Sequence, residues 1–166
     1  LVFVKSGESA VISGGVTANA FTKFGPGTLT LSGNNAIVGD ISVQSGTLRL
    51  GSGGAFSRMN TELNVNGGAT LDLNGNTAVV ESVGGNNRTV AGAQVGGTIT
   101  NSSGTAATLA VASPITSTLN GVLSGNLKLL KAGTGTLTIN GYSASTPDAG
   151  VNTHTGGTDI FGYNAT

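Results

Sequence analysis

One short segment keeps returning in this chain, a glycine-bounded strand of the form Gly-Thr-Leu-x-Leu, and few folds can use it. It reads Gly27-Thr28-Leu29-Thr30-Leu31, then Gly46-Thr47-Leu48-Arg49-Leu50, then Ala69-Thr70-Leu71-Asp72-Leu73. Variants follow at Gly97-Thr98-Ile99-Thr100-Asn101, Ala107-Thr108-Leu109-Ala110-Val111 and Gly135-Thr136-Leu137-Thr138-Ile139. In an extended chain successive side chains point to opposite faces, so Leu29 and Leu31 share one face while Thr28 and Thr30 take the other. Gly25-Pro26-Gly27 and Ser32-Gly33-Asn34-Asn35 close the segment on both sides with turn residues. The first three copies are spaced by about 20 residues, the period of a solenoid. A strand this small cannot bury its apolar face alone, but copies stacked in parallel share one continuous core.

The expectation is therefore an all-β chain, a single parallel β-helix over residues 1–166 with its Thr-Leu-x-Leu segments in one aliphatic column. Roughly seven coils at ~4.8 Å each give a rod about 35 Å long. An antiparallel β-sandwich is the alternative, because short strands at close and regular intervals fit it too. The fixed offset between copies and the lack of any Trp favour the solenoid. Helix is disfavoured because the 29 glycines interrupt every apolar stripe of helical period. Disorder is argued against by a 37 % hydrophobic content set at strand spacing.

Charge narrows the partners. Only 8 % of residues are charged and the net charge is zero, so no basic surface invites nucleic acid or anionic lipid. No apolar run is long enough for a membrane-spanning helix, and no membrane insertion is expected of this segment. With no cysteine, stability must come from stacking. Leu1-Val2-Phe3-Val4-Lys5 is too short for a signal peptide, and the chain reads as a piece of something longer.

Phe21-Thr22-Lys23-Phe24-Gly25-Pro26-Gly27-Thr28-Leu29-Thr30-Leu31-Ser32-Gly33 resembles the autotransporter passenger-associated repeat, Leu-Thr-Lys-x-Gly-x-Gly-Thr-Leu-Thr-Leu-Ser-Gly. Lys131-Ala132-Gly133-Thr134-Gly135-Thr136-Leu137-Thr138-Ile139 opens a second copy, and Asn152-Thr153-His154-Thr155-Gly156-Gly157-Thr158 resembles its middle element. The two copies span about 21–51 and 127–161, with 142–154 read as a surface insertion. The resemblance implies a right-handed parallel β-helix exported to the bacterial cell surface, with a structural, stalk, display or adhesive role. Many proteins of that family carry no catalytic group, and the expectation is a non-catalytic chain with no cofactor.

Candidate chemistry is sparse. Parallel β-helices also house carbohydrate-active enzymes, which need paired carboxylates or a carboxylate with Arg or Ca²⁺. The acids are Glu8, Asp40, Glu62, Asp72, Glu81, Asp148 and Asp159, and aligning the strand copies stacks no two of them. Asp72 instead aligns with Arg49, and the expectation is a surface ion pair worth no more than ~1 kcal/mol. His154 is the sole histidine and takes the Tyr-like slot of the repeat. Gly25-Pro26-Gly27 and Gly133-Thr134-Gly135 lead into strands and lack Gly-Lys-Ser/Thr, so neither is a phosphate loop. Gly7-Glu8-Ser9 lacks the closing glycine of a nucleophile elbow. Lys23 and Lys131 are expected to lay their stems over a coil edge with the amine in water. No catalytic, cofactor or metal residue is assigned. The partners left are glycans or a surface receptor reached through outward Thr and Asn rows, and a second copy. For the second copy, the apolar terminal strands Leu1–Val4 and Asp159–Phe161 are open edges able to stack head to tail into a filament.

Overall fold

The computed structural model describes residues 1–53, 55–57, 61–84, 88–90, 93–141 and 152–162. Strands account for the regular structure of these residues, and they wind into a parallel β-solenoid with three strands per rung. Among the described residues no helix is long and apolar enough to cross a membrane.

Face I carries Val2–Phe3, Phe21–Phe24, Ile41–Val43, Glu62–Val65 and Ser82–Gly84, with Ser117–Leu119 and Leu137–Ile139 stacked below them. Face II carries Ser9–Ile12, Thr28–Leu31, Gly46–Leu50, Ala69–Asp72, Thr98–Asn101, Val122–Gly125 and Thr153–His154. Face III carries Thr17–Ala18, Asn34–Ile37, Ala55–Ser57, Thr77–Val80, Ala107–Ala112, Leu127–Ala132 and Thr158–Phe161. Faces II and III are unbroken seven-stranded ladders, so six full turns separate the first rung from the last. The strand ladders that join one rung to the next are parallel, which rules out the sandwich.

Alternation decides what is buried. Ala10, Leu29, Leu48, Leu71, Ile99 and Leu123 form one column on face II, and the last five are fully buried. Phe21, Ile41, Leu63 and Val83 do the same on face I, and Phe56, Ala78, Leu109 and Leu129 on face III. Each fully buried Leu contributes roughly 2 kcal/mol by leaving water.

The expected single Thr-Leu-x-Leu column holds for four copies and not for the other two. Leu109 lies on face III and Leu137 on face I. The same offset separates the two long repeats. Thr28–Leu31 of the first is on face II, whereas Leu137–Ile139 of the second is on face I. The motif therefore specifies a strand, a corner and the next strand, not which of three similar faces receives them.

Two connections are long, and both cross from face I to face II. In rung 5 the crossing from Gly84 to Thr98 includes an antiparallel hairpin, Arg88–Val90 against Ala93–Val95. In rung 7 the crossing runs from Ile139 to Thr153. Rung 6 makes the same passage from Leu119 to Val122 through Asn120 and Gly121 alone. Of the expected insertion 142–154, residues 142–151 lie outside the described part, and Thr153–His154 form the last face II strand.

Candidate functional site

Face II turns a strip two side chains wide toward solvent. Thr28, Thr47, Thr70 and Thr98 stack in one column. Val11, Thr30, Arg49, Asp72, Thr100, Ser124 and Thr153 stack in the other. Arg49 and Asp72 are in register on adjacent rungs, as the alignment predicts, with Arg49 Nε 2.8 Å from Asp72 Oδ2.

The pair is not a surface one on its acidic side. Asp72 is 4 % exposed, and Ser102 covers it from the rung below. Ser102 Oγ donates to Oδ2 at 2.6 Å, while the Ser102 and Asn74 amides donate to Oδ1 at 3.0 Å each. Arg49 Nη2 also donates to Ser102 Oγ at 2.7 Å. Burial by itself would raise the Asp72 pKa, but the bonds from Ser102, Arg49 and Asn74 outweigh it and hold the carboxyl below its ordinary value. The cluster is a charged staple across rungs 3, 4 and 5.

The two repeat lysines overturn the expectation of a solvated amine. Lys23 is fully buried and sits in register with Val43, an inward position. Its Nζ donates to the carbonyls of Gly25 at 2.5 Å, Gly27 at 2.6 Å and Ser45 at 2.8 Å. Three N–H groups thus meet three carbonyl oxygens at the corner between faces I and II. Burial pushes the Lys23 pKa below its ordinary value. Lys131 is inward too, in register with Val111, and its Nζ donates to the Ala132 and Gly133 carbonyls at 2.6 and 3.0 Å. The signal was available in the sequence. Phe21 and Lys23 stand at alternate positions of one strand, so an inward Phe21 requires an inward Lys23.

Among the described residues the remaining titratable groups do not converge. Glu8 and Glu62 are exposed, Asp159 pairs with Lys128 at 2.6 Å, and Asp148 lies outside the described residues. Among the described residues no three His, Asp or Glu side chains gather to hold a metal ion. His154 is half-buried and in register with Gly125, its Nε2 3.0 Å from Thr158 Oγ1.

The face I ladder is interrupted between Ser82–Gly84 and Ser117–Leu119, and a polar groove of about 310 Å³ lies over the break. Glu62, Asn64, Ser82 and Gly84 line one wall, and Thr116, Thr118 and Asn120 the other. No strand motif announces this groove. Its trace in the sequence is the spacing from Thr70 to Thr98, which is longer than that from Thr28 to Thr47.

In the first and last described rungs of this segment apolar side chains are exposed. Phe3 is 58 % exposed at one end, and Ile160 and Phe161 are 75 % and 61 % exposed at the other.

A continuous column of Leu and Ile inside, a row of Thr outside, and lysine-capped glycine corners define a passenger-type parallel β-solenoid. The passenger-associated-transport-repeat family matches this chain at residues 21–50 and 129–160. The adhesin BmaC autotransporter of Brucella suis biovar 1 (strain 1330) is 39 % identical over 134 residues, which is 79 % of this chain. Those residues make up 4 % of that relative's length. No solved structure matches. The chain belongs to the autotransporter passenger-type repeat proteins.

Proposed function

We propose that this chain is a non-catalytic, adhesive segment of a bacterial cell-surface passenger, its rungs holding an outward polar face away from the membrane. The observation that carries this reading is the likeness to an autotransporter adhesin across most of the chain. The scattered carboxylates support a binding role over glycan cleavage. The test is adhesion of beads coated with the folded chain to cultured animal cells, against beads coated with an unrelated β-solenoid. Specific adhesion that soluble chain competes away is expected. Binding no greater than the control, or depolymerisation of a polysaccharide panel by the purified chain, would overturn the reading.

A second reading concerns a chain of just these 166 residues, in which copies stack head to tail through the Val2–Phe3 and Thr158–Phe161 edges. Such a contact is heterologous and does not close, so it grows filaments. Sedimentation at rising concentration should show progressive assembly that Ile160→Lys abolishes. A strictly monomeric chain at high concentration refutes it.

A further inference from the structure

The face I groove has a chemistry of its own. Register places Glu62 over Ser82 and Asn64 over Gly84, all outward because Leu63 and Val83 between them are inward. A Cβ on Gly84 would collide with Asn64 Oδ1, so the missing side chain is what lets the Asn64 amide lie along the wall. Opposite, Thr118 projects outward between the buried Ser117 and Leu119. Asn120 is 9 % exposed, and its Oδ1 accepts from Asn140 Nδ2 at 2.6 Å, which fixes the amide in orientation. Ser117 is 8 % exposed, and its hydroxyl has no partner among the described residues. Asn120 also occupies the short corner of rung 6, between the two rungs whose long connections leave the same edge. The groove is therefore a recess along that edge, with polar walls and two strand edges that no ladder covers.

We propose that this groove binds a neutral sugar ring. Sugar hydroxyls both donate and accept, and the walls offer matching groups: amides that do both, hydroxyls that do both, and the Glu62 carboxylate as acceptor. Glu62 is the one charged side chain among the described lining residues, so anionic sugars are repelled. Polar walls disfavour an apolar ligand. Ile115, 52 % exposed at the rim, offers contact for the C–H face of a ring. The volume lies at the small end of the ~300–1,000 Å³ range of ligand sites, which suits one ring rather than a long chain. Without an aromatic platform the affinity is weak, with a Kd on the order of 1–10 mM. Useful adhesion then depends on many copies acting together.

The inference rests on the adhesive reading and names its ligand class, yet its test is separate. The isotope-labelled chain is titrated with methyl glucoside, methyl galactoside, N-acetylglucosamine and N-acetylneuraminic acid while amide shifts are followed. At least one neutral sugar should shift residues 62–64, 82–84 and 116–120, and N-acetylneuraminic acid should not. Glu62→Gln and Asn64→Ala, both outward, should keep the native spectrum and weaken neutral-sugar binding by ~5-fold or more. No shifts with any neutral sugar, stronger binding of the anionic one, or unchanged affinity in both variants overturns the proposal. Bead adhesion persisting in that case would leave the adhesive reading intact, and sugar binding without bead adhesion would do the reverse.

Discussion

Two buried charges, Asp72 and Lys23, both make this fold more stable as pH rises, in two separate windows. Asp72 has a folded pKa below its unfolded value of about 3.9, so its contribution is present above that value and lost as pH falls through the folded one. Asp72→Asn should lower stability near neutral pH by ~2 kcal/mol, since Arg49 and Ser102 lose their charged acceptor. Urea-unfolding midpoints measured down to about pH 2 should fall for the parent and stay flatter for the variant; parallel slopes would remove Asp72 from the account. Lys23 has the same sign at the alkaline end. Its folded pKa lies below the unfolded ~10.4, so the unfolded chain holds more protons in that window and stability rises with pH up to ~10.4. Lys23→Met keeps the stem but leaves the Gly25 and Ser45 carbonyls without the ammonium, an expected loss of ~2 kcal/mol at neutral pH. The alkaline gain should vanish in the same variant. A Met variant as stable as the parent would mean that the ammonium cap is dispensable.

The strand-corner-strand unit is the natural element here, and its corner is where tolerance is lowest. Gly46 has φ +66°, and a Cβ there would stand 2.5 Å from the Gly25 and Gly27 carbonyl oxygens and from Lys23 Nζ. Gly7 has φ +76° with nothing within 4 Å. Gly7→Ala should therefore cost about 1–2 kcal/mol of conformational strain alone. Gly46→Ala should cost clearly more, because it also displaces the lysine from its carbonyls; equal thermal midpoints for the two variants would refute the corner assignment. How much of this is legible in the sequence follows the same unit. Period-2 alternation marks Leu29, Leu31, Ile41 and Val43 as inward, and all four are fully buried. The offset between copies pairs Arg49 with Asp72, and the register agrees. It cannot say that Leu137 will land on face I, because three similar faces accept the same strand and the length of the intervening chain decides among them. Nor can it bury Asp72, since Ser102 reaches that carboxylate only after the long rung 5 connection closes. The groove is illegible for a related reason: its two walls lie a rung apart across a missing ladder, and no local pattern records a pairing that fails to form.

The whole rod is a stack whose rungs contact only their neighbours, so its stability need not be uniform along the axis. Faces II and III continue across rungs 5 and 6, with Ile99 against Leu123 and Leu109 against Leu129. Side chains add to that join, since Asn101 Nδ2 donates to the Asn126 carbonyl at 2.7 Å and Ser124 Oγ to Thr100 Oγ1 at 2.9 Å. Face I contributes no ladder there, so this junction carries two ladders where the regular ones carry three. Alternation along a parallel strand sends successive amides to opposite neighbours. The Ser82 amide points back to Thr61 and the Ser117 amide forward to Thr136, which leaves those of Val83 and Thr118 facing the break. Hydrogen exchange of the folded chain should therefore be faster at Val83 and Thr118 than at Leu48 and Leu71, whose strands are paired on both sides. Under mild denaturant, rungs 6 and 7 should open together before rungs 2 to 4, because they join the stack through the weakest junction. A sugar that fills the groove bridges the two walls, so it should slow exchange at Val83 and Thr118 in proportion to its occupancy. Uniform protection along the rod, or a first opening at rungs 2 to 4, would show that the interrupted ladder has no mechanical consequence.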